Sequence, residues 1–243
     1  MADPDHENIY DNAKIRIQGT VCGFSNHLLY LQDKVYLDKD DPSKGYEYCG
    51  INIFVGMSSI SSKYTTLNTF IQVCGLAQYT ENYGFQVTDT QGRFPVGSAT
   101  SENDAKIIYK PAENVDTEHN LYTFEYTNSE LSAIASATDP YNLENLNCLT
   151  RVTETLTCTS AFVNTSAAQE VTLSFQGASY NVYIPFNYYG DPNDNTTRWN
   201  KESDFKGKKF TIQGVYVLHK TTTGKIKFQI VPSANSDLVW IDE

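Results

Sequence analysis

The sequence predicts an all-β protein of two small barrels in tandem, joined by a partly ordered linker. Three observations carry that expectation. Lys208 to Pro232 reads as a hairpin: Phe210, Ile212, Tyr216 and Leu218 fall at even spacing, Ile226, Phe228 and Ile230 do the same, and Thr222-Thr223-Gly224 supplies the turn. Thr69 to Thr88 repeats this layout loosely, which suggests an internal structural repeat. The composition is rich in Thr, Asn, Ser and Tyr, with Tyr alone contributing 17 of 243 residues, and this mix favours strands and turns over helices. A chain of that length suits two domains of ordinary small size.

Residues 1–12 form a polar, acidic leader. The first barrel is expected over residues 13–98. Ala13 to Cys22 alternates as Ile15, Ile17 and Val21 against Lys14, Arg16 and Gln18, with Gly19 at a bend, and His27 to Asp33 follows across the turn Gly23 to Asn26. Lys34 to Tyr48 is rich in Asp, Lys, Pro and Gly and reads as a projecting loop. Cys49 to Gly56 returns as a strand, with Ile51, Ile53 and Val55 alternating. Ser58 to Leu67 is a polar connector or short helix, after which Thr69 to Gln78 and Gly84 to Thr88 close the unit.

Residues 99–146 form the linker, with a strand at Leu121 to Tyr126 and a short helix at Ser129 to Ala137 capped by Asn128 or Ser129. A structureless stretch of this length would be unusual in a compact protein. The second barrel, 147–243, repeats the outline with strands at Leu149 to Phe162, Glu170 to Gln176 and Tyr180 to Tyr188. A long connection, Tyr189 to Gly207, leads into the hairpin, and Ser236 to Glu243 supplies a short terminal strand anchored by Val239 and Ile241.

Five strands with a connector between the third and fourth resemble an OB fold, a small Greek-key barrel. The runs GTVCGFSNHLLYLQD, GINIFVG and LNTFIQVCGLAQYTENYGFQVTD carry the likeness in the first unit. They are similar in style to OB modules of single-stranded-nucleic-acid-binding proteins and of bacterial nucleases and envelope lipoproteins. The resemblance implies a ligand laid across the second and third strands, framed by the loops between strands one and two and strands four and five.

Charge and cysteine content narrow the function classes. A formal net charge of −11 excludes a global positive field, so any contact with phosphate must be local. The five cysteines, an odd number without a CxxC pair, argue for free, mostly buried thiols. The leader lacks the basic start and apolar core of a secretory signal, which predicts a cytoplasmic protein, or a secreted or envelope-anchored one if a signal has been removed. No apolar run is long enough for a transmembrane helix. His6, His27, His119 and His219 are scattered, with no zinc spacing, and no nucleophile elbow, P-loop or dinucleotide motif is present, so no enzyme, metal or cofactor is expected. Asp191, Asn193, Asn195 and Glu202 fall at four ligand positions of an EF-hand-like loop. Pro192 intrudes and Thr196 stands where glycine belongs, which makes an Asx-rich turn the expectation.

What remains is a binding surface. Between Arg198 and Lys227 eight Lys or Arg stand against only Glu202 and Asp204, in an otherwise acidic chain. Aromatics beside cations suit a single strand, because rings stack on bases while the cations neutralise phosphates. The expected ligand residues are Tyr30, Phe54, Tyr79 and Tyr83 in the first barrel. In the second they are Tyr183, Trp199, Lys208, His219, Lys220, Lys225 and Lys227. The expected partner is single-stranded nucleic acid; the alternative is a structural or adhesion module of a cell envelope or virion that binds protein or glycan.

Overall fold

Alternating apolar residues drive both barrels to closure. The computed structural model describes residues 13–25, 27–38, 40–54, 66–80, 84–88, 106–109, 119–136, 143–164, 170–191, 196–221 and 223–241. The chain divides into two compact units, Met1–Tyr122 with Tyr141–Cys148 and Thr123–Pro140 with Leu149–Glu243.

The first unit holds β1 (Lys14–Phe24), β2 (Leu28–Tyr36), β3 (Tyr46–Phe54), β4 (Phe70–Thr80), β5 (Gly84–Thr88) and β6 (Lys106–Tyr109). Its strand order is β1-β2-β3-β5-β4, and β4 returns to pair with β1 from Lys14↔Leu76 to Thr20↔Phe70, which closes a five-stranded barrel. The β3–β5 pairing is parallel, the Greek-key step of an OB fold, and β6 adds to β4 outside the ring. Val21, Leu29, Leu31, Ile53, Ile71, Val73 and Val87 fill the interior. Each such side chain gains about 1.5–3 kcal/mol on burial.

The second unit holds β7 (Phe124–Tyr126), α1 (Asn128–Ala135), β8 (Leu149–Val163), β9 (Val171–Phe175), β10 (Asn181–Ile184), α2 (Glu202–Phe205), β11 (Lys209–Lys220), β12 (Ile226–Val231) and β13 (Leu238–Ile241). The order β8-β9-β10-β12-β11, closed by β11 against β8, repeats the first barrel strand for strand, again with one parallel pairing, β10 to β12. The chain is therefore all-β, with two OB-type barrels in tandem. No helix among the described residues is long and apolar enough to cross a membrane.

Several elements differ from the sequence expectation for definable reasons. The projecting loop expected at Lys34 to Tyr48 narrows to residues 37–45: β2 runs on to Tyr36, β3 starts at Tyr46, and Tyr36 pairs with Tyr46, because Val35, Tyr36, Tyr46 and Tyr48 are good strand residues. The strand at Tyr180 to Tyr188 shortens to Asn181–Ile184, since Pro185 has no N–H for a ladder and Tyr188 turns into a ring cluster. The helix is capped by Thr127, one residue earlier than expected. Thr127 and Glu130 form a reciprocal capping box, and those hydrogen bonds hold the Glu130 carboxyl below its ordinary pKa. Most of the connector at Ser58 to Leu67 lies outside the described residues.

Candidate functional site

The two faces that correspond in the two barrels have opposite exposure. In the first barrel, Leu29 and Leu31 point inward, so Tyr30 and Gln32 point outward with their cross-strand neighbours. Thr20, Gln32 and Gly50 lie side by side, as do Tyr30, Asn52 and Gln86. Except for half-buried Gly50, all of these outward residues are buried. Tyr30, expected to meet a ligand, is only 2% exposed. Phe54 and Tyr79 are half-buried at strand ends, and Tyr83 lies outside the described residues. Among the described residues, Tyr30, Phe54 and Tyr79 offer no exposed ring to a ligand.

In the second barrel the equivalent face is open. Phe162, Thr172 and Tyr183 form one cross-strand row over β8, β9 and β10. Ser160, Ser174, Asn181 and Gln229 form the next, reaching β12. Phe162 is 70% exposed and Tyr183 half-buried. With strands about 4.8 Å apart, the two rings flank Thr172 at a separation of about 10 Å. Two residues beyond Gln229 on the same face stands Lys227, opposite His219 on β11. The β11–β12 turn adds Lys220 and Lys225, and among the described residues neither Lys225 nor Lys227 is in an ion pair. A cationic turn thus borders a face of two aromatic rings and neutral hydrogen-bonding side chains.

His219 adds little charge to this edge at neutral pH. Burial is the larger cause and nearby Lys227 the smaller, and both lower its pKa from the ordinary 6.5. Because the folded pKa lies below the unfolded one, the stability linked to neutral His219 is present above pH 6.5 and is lost as pH falls toward the folded value. A histidine NMR titration is expected to place the His219 midpoint below 6.5, and Lys227→Ala is expected to recover only part of the shift. An unchanged His219 midpoint in that variant would show that His219 does not sense Lys227.

Trp199 and Lys208 belong elsewhere. Lys208 Nζ sits 4.9 Å from the Trp199 ring centroid and 4.3 Å from that of Trp240, and Trp199 packs edge-on against Tyr188, Phe205 and Phe210. Gly190 makes room for this packing: at φ +78 it takes a conformation that favours glycine, and a Cβ there would stand 2.2 Å from the indole. Lys208 precedes β11 while Lys220 ends it, so the basic stretch seen in the sequence is split between opposite ends of a strand about 40 Å long. Of the basic residues in the first group, Lys206 pairs with Glu202 at 3.4 Å. The calcium-like loop retains Asp191 and Glu202 among the described residues, but Asn193 and Asn195 lie outside them.

No protein-family model matches the chain, and no curated protein does. Among solved structures the chain is similar to the Ifi202 HINa domain in complex with 20bp dsDNA, at 13% identity over 89% of this chain and 94% of that one, with a TM-score of 0.32. It is also similar to a chain from a structure described as "Structural mimicry for functional antagonism", at 11% identity over 97% and 98% of the two chains, with a TM-score of 0.25. Both likenesses are distant, and the fold assignment stands on the strand order above.

Phe162 is the surface ring that sequence reasoning missed. Alternation carried forward from Val152, Leu156 and Cys158, all buried, places position 162 inside the barrel. A bulge between Cys158 and Ser160 reverses the phase, so that Ala161 pairs with Leu173 on the inner side and Phe162 faces out. The same burial that makes Cys158 a packing residue pushes its thiol up to about 11. Among the described residues, no group of three or more His, Cys, Asp or Glu is placed to hold a metal ion.

Proposed function

We propose that the chain is a non-enzymatic binding module for single-stranded nucleic acid, held on the outer face of the second barrel. The observation that carries this reading is the open row of Phe162, Thr172 and Tyr183 bordered by Lys220, Lys225 and Lys227. The rings offer stacking worth about 1–3 kcal/mol per base. Ser160, Ser174, Asn181 and Gln229 offer donors and acceptors to base edges, and the turn lysines meet phosphate.

Fluorescence anisotropy with a labelled oligo-dT of about 16 nucleotides tests it. Three phosphate contacts give a log–log salt slope of about −2 for a single strand, so affinity should fall about 10–20-fold between about 50 and 200 mM salt. Absence of binding at the lower salt would remove the reading. A second reading, docking of protein or glycan, is favoured by a separate surface: the β2–β3 ribbon exposes Val35, Leu37 and Tyr46, and Lys34 Nζ lies 3.8 Å from the Tyr46 ring centroid. That reading gains if the oligonucleotide fails and Tyr46→Ala abolishes capture of a partner.

A further inference from the structure

The outer face of β1–β2–β3 is covered from within its own unit by residues 119–122 and 143–148. Thr20 Oγ1 donates to the His119 carbonyl, His119 Nδ1 lies 2.9 Å from Asp33 Oδ1, and the His119 ring packs 4.2 Å from Phe70. Tyr122 stacks on Tyr48 at 4.7 Å. The Cys22 thiol donates to the Asn147 carbonyl at 3.5 Å. The 143–148 run is two successive turns, closed by Leu146 N–H to the Leu143 carbonyl and Cys148 N–H to the Asn145 carbonyl. Asn147 adopts φ 61, a left-handed conformation that Asn tolerates better than most residues. The run approaches β3 closely because residue 50 is glycine: a Cβ there would stand 2.4 Å from the Asn147 carbonyl carbon and 2.7 Å from the Leu146 oxygen.

This cover fails to satisfy what it buries. Gln32, on the covered face, and Asn145, on the covering run, are 2% and 1% exposed; the Asn145 amide has no hydrogen-bond partner among the described residues, and the Gln32 amide has only the weakly bonding Cys148 thiol beside it. Farther along the outer face, on β5, Gln86 Oε1 and Thr88 Oγ1 are also buried and unpaired, while Gln86 Nε2 donates to Gln78 Oε1 at 2.8 Å. A buried polar atom left unpaired costs about 1–3 kcal/mol, so a face that served only to seat this segment would be expected to carry apolar or fully paired side chains. These groups suit a ligand that brings its own donors and acceptors, as the base edges of an unpaired strand do.

We propose that residues 119–122 and 143–148 are a displaceable strap over a second ligand face, on the first barrel. The inference rests on the nucleic-acid reading above and adds its regulation. With the strap seated the chain takes one strand, on the second barrel; with it lifted the chain takes two.

Gly50→Ala and Gly50→Val test the strap, since either side chain collides with its backbone while the extended residue 50 accepts both. Strap position is read by maleimide labelling. Cys22 and Cys148 are buried at the covered face, Cys49 is exposed, and Cys158 is buried in the second barrel and serves as the control for general unfolding. The variants should label Cys22 and Cys148 at least tenfold faster with Cys158 unchanged and the far-UV sheet spectrum retained, and the oligo-dT stoichiometry should rise from one to two. Unchanged labelling overturns the proposal, and so does faster labelling with the stoichiometry still at one, while the second-barrel reading stands in either case. In a Lys225→Glu/Lys227→Glu background, adding Gly50→Ala should restore a bound strand, and failure to restore it also overturns the strap. Undiminished binding by Lys225→Glu/Lys227→Glu alone would instead remove the second-barrel reading, and the change in stoichiometry on adding Gly50→Ala would still decide the strap.

Discussion

Trp199→Ala should lower the unfolding free energy by about 3 kcal/mol while leaving oligonucleotide affinity within about twofold. The indole lies 5.3 Å from both the Phe205 and Trp240 ring centroids and 6.1 Å from that of Phe210, with the Lys208 ammonium above it. Phe205 and Phe210 are fully buried, so removing the indole opens a void beside two core rings that have no other way to fill it. The Lys208 contact adds about 0.5–1 kcal/mol at a partly exposed site, which makes Lys208→Ala the milder change. Chemical denaturation of the two variants gives the comparison. A Trp199 variant of normal stability with weakened oligonucleotide binding would return that residue to the ligand surface.

Lys225→Glu/Lys227→Glu should weaken oligo-dT binding by at least about 30-fold at about 50 mM salt and reduce the steepness of the salt dependence by about 1.4, the slope of two phosphate contacts on a single strand. Both side chains are exposed, Lys225 in the β11–β12 turn and Lys227 near the start of β12, and each surface change of this kind shifts stability by about 0.5 kcal/mol at most. Loss of affinity therefore reports the site and not the fold. If the salt slope is unchanged while affinity drops, the lysines act through the turn's conformation and not through phosphate.

The sequence exposes the barrels more clearly than the site. Even spacing along Lys208 to Pro232 and Thr69 to Thr88 encodes strands four and five of each barrel, because one inward face per strand must be apolar. Positions that depend on phase or on partners far along the chain are less visible. Phe162 faces out because of one bulge, and a bulge leaves no residue signature here. Trp199 and Lys208 sit beside other basic residues in the sequence, yet β11 carries its far end about 40 Å away, so a charge cluster in one dimension becomes two in three. Tyr30 alternates as a surface strand residue should, yet it is buried; on the same side of the barrel Thr20 and Cys22 meet His119 and Asn147, contacts 99 and 125 positions apart that local pattern does not encode.

The most direct test of the central claim is amide and methyl chemical-shift mapping of the intact chain during titration with oligo-dT. The expected result is a continuous set of shifts over Ser160, Phe162, Thr172, Ser174, Asn181, Tyr183, Lys225, Lys227 and Gln229, with Thr20, Gln32 and Asn52 unmoved at one strand per chain. Shifts confined to the first barrel, or to the Trp199 cluster with the Phe162 row silent, would contradict it.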